Sequence, residues 1–180
     1  MRENTIMSIA YASEMIEIVS ESEVLTHEQL LRHIEILHDI IASYTFPSFE
    51  DMLDWHKHLM VGENFAGKVR NFPAGRYTSK GYEPYPTHSK DSIKRKFDVF
   101  NKVNKHTLMS IAEFHIQITE SHPFLDGNGR IARLILNAHL HVSGFGMCLI
   151  DRDNKNDYLT CLENKNTKAL AKFIEKYLVM

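Results

Sequence analysis

Apolar side chains recur every three or four residues through most of the chain, which is the spacing that places them on one face of an α-helix. The segment THEQLLRHIEILHDIIASY follows this pattern and opens with Thr26 and Gln29 in the positions of a capping box. PSFEDMLDWHKHLM repeats the pattern, with Ser48 as the N-cap and Asp51 at the third helical position. Two helices are therefore predicted to begin just after Thr26 and Ser48.

Further helical runs lie in the second half of the chain. DSIKRKFDVFNKV, HTLMSIAEFHIQITES and RIARLILNAHLHVSG keep the helical spacing, and Gly144 is placed to end the third of them. Two more helices are predicted near residues 154–163 and 167–178. Residues 67–89 lack this period and are rich in proline, glycine and tyrosine, which predicts a loop with a short hairpin. The pattern as a whole predicts an all-α fold with one short β-hairpin.

Composition narrows the class of protein. Hydrophobic residues make up 43% of the chain and charged residues 24%, as in a folded globular protein, and the length fits one domain over residues 1–180. The formal charge of -2 argues against a nucleic-acid partner, which needs a cationic surface. Without a membrane-length apolar run or a signal-peptide core, we expect no membrane partner and a cytoplasmic location, with non-Sec secretion left open. Cys148 and Cys161 suit a reducing compartment.

The segment HPFLDGNGRIAR contains the largest concentration of candidate binding and catalytic residues. Gly127, Asn128 and Gly129 tolerate unusual backbone angles, so successive amides can point inward as an anion-binding nest. A helix that begins at the second glycine or at the arginine after it would add its free amides and positive dipole end. Arg130 and Arg133 share one face of that helix, and each can fork onto phosphate oxygens. The segment is therefore predicted to hold a polyphosphate.

Two other side chains of this segment can supply a metal ligand and a base. Asp126 offers a hard oxygen ligand, which suits Mg²⁺ bound mainly by water and substrate phosphates. Histidine side chains have a reference pKa of about 6.5, so a histidine at position 122 is a candidate proton acceptor near neutral pH. Together these residues indicate transfer of a phosphorus centre onto a hydroxyl. A structural helix-helix turn, in which Asp126 caps and the arginines are solvated, is the alternative interpretation.

Other motifs fit the segment less well. A calcium loop that begins at Asp126 would need glycine and glutamate where the chain has Ile131 and Asn137. The chain has no Walker-type Gly-Lys-Ser/Thr element, which argues against a P-loop hydrolase. Its eleven histidines form no H-E-x-x-H or Cys/His cluster typical of zinc sites. His33, His38, His56 and His58 are therefore interpreted as helix-surface or satisfied core residues, and His115 as a packing residue.

The segment HPFLDGNGRIAR, residues 122–133, resembles the signature of the Fic domain family, His-x-Phe-x-Asp/Glu-Gly-Asn-Gly-Arg-x-x-Arg, at every fixed position. AGKVR is similar to the approach to the Fic flap, and LNAHLHVSGF to the helix after the signature. The family implies a helical bundle with a β-hairpin flap, and AMP transfer from Mg-ATP to a protein hydroxyl with release of pyrophosphate. The implied roles are general base for His122, magnesium ligand for Asp126, loop anchor for Phe124, anion hole for Gly127, Asn128 and Gly129, and phosphate binding for Arg130 and Arg133.

The resemblance implies two further binding regions. A target protein that carries a Ser, Thr or Tyr hydroxyl would dock on the flap by strand addition, near Tyr77 and Thr78 within residues 76–87. Ordinary packing is the alternative for the flap tyrosines, which are Tyr77, Tyr82 and Tyr85. The segment NDYLTCLENKN resembles the purine pocket of the family and nominates Tyr158 and Asn164 for adenine.

An inhibitory helix is also implied, within residues 1–25. SEMIEIV resembles the family motif Ser/Thr-x-x-x-Glu-Gly/Asn, with Ser13 and Glu17 at the right spacing and Ile18 where Gly or Asn is expected. We hypothesise that Glu17 forms an ion pair with Arg133 and so keeps the resting activity low. In some relatives the same glutamate supports removal of AMP, so an enzyme that works in both directions is left open.

Several alternatives stay open from the sequence. A Fic relative with lysine at the second loop glycine is a kinase, whereas this chain has Gly129, which favours AMP transfer. UMP or phosphocholine transfer is compatible with the signature. Alternatives from other classes are a regulatory nucleotide-binding protein whose site is permanently shut, and a helical interaction module. Self-modification and a homo-oligomer are also left open.

Overall fold

The computed structural model describes residues 2–17, 25–78, 81–103 and 105–180, without side-chain detail for residues 76–78, 82 and 83. The described elements, in chain order, are α1 (Glu3–Glu17), α2 (His27–Ala42), α3 (Phe49–Leu59), β1 (Ala74–Thr78), β2 (Gly81–Tyr85), α4 (Lys90–Phe100), α5 (Leu108–Ser121), α6 (Asn128–Val142), β3 (Met147–Cys148), α7 (Lys155–Glu163), α8 (Thr167–Lys176) and β4 (Leu178–Val179). The predicted helical fold with a short hairpin is confirmed. In the described ranges, no helix has both the length and the apolar character needed to cross a membrane.

The helix starts follow the local sequence. The Thr26 and Ser48 side chains each accept a hydrogen bond from the amide three residues on. Their own backbone amides donate to the side chains of Gln29 and Asp51, which completes each capping box. Gly144 lies just after the end of α6 with a φ of 80°, a left-handed angle that glycine adopts without strain. One end was predicted wrongly, because α8 stops at Lys176 and the next residues form β4.

Two small antiparallel sheets accompany the helices. In the first, β1 pairs with β2, so that Ala74 lies opposite Tyr85 and Thr78 opposite Gly81. This is the predicted hairpin, and the side chains of Tyr77 and Thr78 lie outside its described part. In the second sheet β3 pairs with β4. This pair was not predicted, because strands of two residues are too short to show an alternating pattern.

Helix α6 lies at the centre of the bundle. Every residue from 130 to 140 is buried, which is the pattern of a helix surrounded by protein on all sides. Leu134 and Ile135 pack into a core formed mainly with α1 to α4, and Leu136 and Leu140 pack into a second core with α5, α7 and α8. The N-terminus of α6, where the HPFLDGNGR segment joins it, is therefore attached to a firmly held helix. The single-domain organisation over residues 1–180 stays a prediction.

Candidate active site

The turn between α5 and α6 is stabilised by its own polar groups. His122 caps the end of α5 in a left-handed conformation with φ 41° and ψ 60°, which is uncommon for a residue with a side chain. Gly127, with φ 75°, is the N-cap of α6, so the helix begins at Asn128, slightly earlier than predicted. The Asn128 side chain accepts from the Phe124 amide at 2.8 Å and donates to the Phe124 carbonyl at 2.9 Å. The Asn128 side chain thus stabilises the turn, and the Asn128 backbone amide remains available to bind an anion.

Phe124 and His56 anchor this turn to α3. Phe124 is fully buried, and its ring stacks on His56 with the centroids 3.6 Å apart. The Gly67 amide donates to His56 Nδ1 at 2.8 Å, and His56 Nε2 lies 3.0 Å from the Asp126 carbonyl oxygen, to which it donates. Burial lowers the pKa of His56 to about 4, so the ring is neutral at pH 7 and keeps this bonding pattern. Of the two interpretations from the sequence, His56 therefore fits the satisfied core residue.

Asp126 lies on the solvent-exposed side of the turn. Its side chain is 65% exposed, with Oδ2 3.7 Å from Arg130 Nη2, while Oδ1 accepts from the Gly127 amide at 2.6 Å. Among the described residues, no three His, Cys, Asp or Glu side chains form a group that could hold a metal. A single exposed carboxylate, without other acidic side chains in such a group, fits Mg²⁺ that draws its other ligands from water and phosphate oxygens. The first amides of α6 lack helical partners and carry the positive dipole end that favours those phosphates.

Helix α1 packs against Arg133 of α6 through Ser13 and Glu17. Glu17 Oε1 lies 2.6 Å from Arg133 Nη2. The same guanidinium donates to the Ser13 hydroxyl and to the Ser13 carbonyl, both at 2.9 Å. The structure thus contains the ion pair expected from the spacing of Ser13 and Glu17, whereas its effect on activity stays a prediction.

The Glu17 carboxylate also lies directly over the predicted anion hole. A methyl group built on Gly129 would approach Glu17 Oε1 to 2.6 Å, so the carboxylate almost touches the backbone of the second loop glycine. Burial raises the pKa of Glu17, but the charge and hydrogen bond of Arg133 outweigh burial and the pKa is lowered overall. The group is therefore an anion at neutral pH, held where a phosphate oxygen is predicted to bind.

Sequence reasoning missed Glu14, which makes a second connection between α1 and α6. Glu14 Oε2 lies 3.4 Å from Arg130 Nη1, and its Oε1 lies 2.9 Å from His33 Nδ1. Burial lowers the pKa of His33, so a neutral ring donates its Nδ1 proton to the carboxylate. Glu14 and Glu17 are three residues apart on α1, as Arg130 and Arg133 are on α6. This matched spacing is the signal that could have found Glu14.

Replacing Glu14 with alanine should destabilise the fold by about 3 kcal/mol, because removal of one member of a buried ion pair leaves the other charge uncompensated. Glu14 is 3% exposed, and its loss leaves Arg130 and His33 without the carboxylate. Urea unfolding of both proteins measures the effect. The matched control is Glu28→Ala, since Glu28 pairs with Arg32 while 85% exposed and should matter little. Equal effects of the two substitutions would contradict the assignment.

The hairpin formed by β1 and β2 contacts His122. Tyr85, the last residue of β2, stacks on the His122 ring with the centroids 3.9 Å apart and the planes 8° from parallel. Arg70, another residue that sequence reasoning missed, donates from Nε to the His122 carbonyl at 2.6 Å. The predicted flap is therefore next to the predicted base.

The two residues nominated for adenine lie at different depths. Tyr158 is 2% exposed, its hydroxyl lies 2.8 Å from His115 Nε2, and burial raises its pKa while nearby Arg133 opposes the rise. Asn164 is exposed at the end of α7, and its amide donates to the Thr160 carbonyl at 3.0 Å. The adenine role of both stays a prediction. The buried Tyr158 ring offers little surface for a base to stack on, and its partner His115 has the packing role expected of it.

The turn lies within a region that matches a known protein family. The model of the Fic/DOC family matches residues 46–140, which include the whole HPFLDGNGR segment. The protein adenylyltransferase Fic of Nematostella vectensis is 26% identical over 166 residues, which cover 87% of this chain and 37% of the relative. The protein adenylyltransferase fic-1 of Caenorhabditis elegans is 29% identical over 134 residues, 71% of this chain and 26% of the relative. The chain thus spans well under half the length of these curated relatives.

Solved structures share the fold. A Fic-domain-containing signalling protein from Bacteroides thetaiotaomicron superposes with a TM-score of 0.78 at 18% identity, covering 97% of this chain and 83% of the other. Residues of Fic-1 from C. elegans superpose with a TM-score of 0.70 at 20% identity, covering 96% of this chain and 59% of the other. At these identities the likeness establishes the arrangement of the helices and not the reaction.

Proposed function

The chain belongs to the Fic/DOC family, and we propose that it is a protein adenylyltransferase, which transfers AMP from Mg-ATP to a Ser, Thr or Tyr hydroxyl of a target protein. The observation that carries the proposal is the turn itself. A half-buried histidine, an exposed carboxylate and the N-terminus of a buried helix lie within one short segment. The names of the curated relatives support the same activity.

In the proposed reaction the target hydroxyl attacks the α-phosphorus of ATP. A new oxygen-phosphorus bond forms, the bond to pyrophosphate breaks, and His122 takes the hydroxyl proton as general base. The amides at the start of α6, together with Arg130 and Arg133, hold the phosphate oxygens, because charge-assisted forks bind them strongly. Asp126 would hold Mg²⁺, which would supply positive charge that neutralises the phosphates. The hairpin places the target segment beside His122 by strand addition.

We further propose that the Glu17 carboxylate inhibits the activity of the resting chain. As long as Glu17 pairs with Arg133 and lies over Gly129, a phosphate at that position meets a negative charge and finds the guanidinium occupied. The resting chain should therefore have low activity. A regulatory protein with a permanently shut site is the competing function that this same contact favours, and it predicts no transfer even when Glu17 is removed.

Labelled ATP tests the reaction class. The Glu17→Gly variant, alone and in cell lysate, should place label from [α-³²P]ATP on a protein, either a target or the chain itself, as seen after denaturing gel electrophoresis. Label from [γ-³²P]ATP should leave with pyrophosphate and stay off protein. Retention of the γ-label in place of the α-label would instead identify a kinase. The absence of both labels, with ATP still bound in calorimetry, would favour the shut regulatory protein.

A further inference from the structure

Arg70 connects the base of the hairpin to the histidine turn. Its side chain is buried, with the residue 6% exposed, and it donates three hydrogen bonds to main-chain carbonyls. The acceptors are His122 from Nε at 2.6 Å, Phe72 from Nη1 at 2.7 Å and Pro86 from Nη2 at 2.9 Å. The Arg70 amide also donates to the Pro123 carbonyl at 2.8 Å. One residue therefore joins the chain just before β1, the chain just after β2 and the start of the turn.

The chemistry of these bonds requires an arginine. A guanidinium presents five donors in a rigid planar fork, so its three nitrogens can reach three carbonyls in different directions. A lysine ammonium keeps the charge but offers its donors from a single atom on a flexible stem. Replacement of Arg70 by lysine therefore keeps the charge and removes the three-way connection.

The main chain that Arg70 holds is in an unfavourable conformation. A non-glycine residue at φ 41° and ψ 60°, as at His122, persists only when its surroundings determine it, and such strain is typical of functional positions. The short charge-assisted bond from Arg70 to the His122 carbonyl is one of those determinants. Loss of the bond should let His122 relax and point its ring elsewhere.

Tyr85 fixes the side chain of the same histidine. Its ring lies parallel to the His122 imidazole at 3.9 Å, and the next residue, Pro86, is held by Arg70 at 2.9 Å. The bond that fixes the end of β2 therefore also fixes the ring that covers the histidine. Stacked aromatic pairs have a preferred geometry, so this contact limits the rotation of the imidazole.

We propose that Arg70 and Tyr85 are positioning residues for His122, with Arg70 setting its main chain and Tyr85 its ring. Through Arg70 the orientation of the base is coupled to the placement of the hairpin. The inference rests on the proposed function in one respect, because it takes His122 as the base. It goes beyond that function by making productive alignment of the base depend on two residues outside the HPFLDGNGRIAR segment.

The kinetic test compares Tyr85→Ala, Tyr85→Phe and Arg70→Lys, each in the active Glu17→Gly background. A small misplacement of a catalytic group can cost about 10²-fold in rate, so Tyr85→Ala should lower kcat by roughly ten- to a hundredfold with little change in KM for ATP. Tyr85→Phe keeps the ring and should restore most of that loss. Arg70→Lys should also lower kcat. A folded Tyr85→Ala protein with the parental kcat would overturn the proposal.

A second measurement is independent of activity. In two-dimensional NMR of histidine-labelled protein, the His122 ring signal is identified by its loss in His122→Ala. Its chemical shift should move in Tyr85→Ala as the ring current is lost, stay close to the parent in Tyr85→Phe, and move in Arg70→Lys. If no variant transfers AMP, the proposed function fails while a moved signal still supports the positioning role. An unmoved His122 signal in Tyr85→Ala overturns it whatever the activity. Tyr44→Ala, at a tyrosine that is 91% exposed, is the matched control for loss of a ring.

Discussion

Replacing His122 with alanine should lower kcat for AMP transfer by at least about 10²-fold, the range that a positioned general base contributes. The measurement is transfer of α-label in the Glu17→Gly background, with and without the second substitution. ATP binding in calorimetry should change little, because the phosphates are assigned to α6 and its arginines and not to His122. The effect should therefore fall on kcat and leave KM for ATP close to the parent value.

The control for this experiment is a histidine outside the site. His38 on α2 is a surface residue whose Nε2 lies 3.4 Å from Glu3 Oε1, and His38→Ala should transfer AMP at the parental rate. Substantial transfer by a folded His122→Ala variant would show that another group takes the proton. It would remove the general-base role and, with it, the reason for holding His122 in a strained conformation.

The site divides sharply into a part that sequence can predict and a part that it cannot. The base, the metal ligand and the anion hole occupy one contiguous segment, so their order along the chain already indicates their chemistry. The Thr26 and Ser48 caps were predictable for the same reason, since each bond spans three residues. Arg70 was missed because its partner His122 lies 52 residues away and no motif links the two. Glu14 lies 116 residues from Arg130, and only its spacing to Glu17, matched by that of the two arginines, could have indicated the contact. Only the packing of α1 against α6 and of the hairpin against His122 brings these partners together.

The two glutamates of α1 differ in how freely they can leave the site. Glu14 is 3% exposed and is held by both Arg130 and His33, so we infer that it anchors α1 permanently. The Glu17 side chain is 37% exposed and lies at the last residue of the described helix. The pKa of Glu17 is lowered, so its pairing stabilises the fold above the ordinary glutamate pKa and is lost only as pH falls through the lowered value. Acidification within the neutral range therefore does not release Arg133. Release of Arg133 requires that the Glu17 side chain move away from it.

Replacing Glu17 with glycine should raise AMP transfer by roughly ten- to a hundredfold, the factor that corresponds to about 1.5–3 kcal/mol for a hydrogen bond to a charged group. The substitution frees Arg133 and removes the carboxylate that lies over Gly129. Initial rates of α-label incorporation at saturating target, together with the affinity for Mg-ATP in calorimetry, measure the gain.

The matched control for this gain is Glu14→Gln, which changes the other glutamate of α1. It should not activate the chain, because Arg130 keeps a partner of the same shape and Glu17 stays in place. Activation by Glu14→Gln equal to that by Glu17→Gly would mean that any loosening of α1 opens the site, so the brake would be the helix and not the carboxylate. Unchanged transfer by Glu17→Gly, in a protein that binds ATP and loses its residual activity with His122→Ala, would show that the Glu17 ion pair with Arg133 does not limit the reaction.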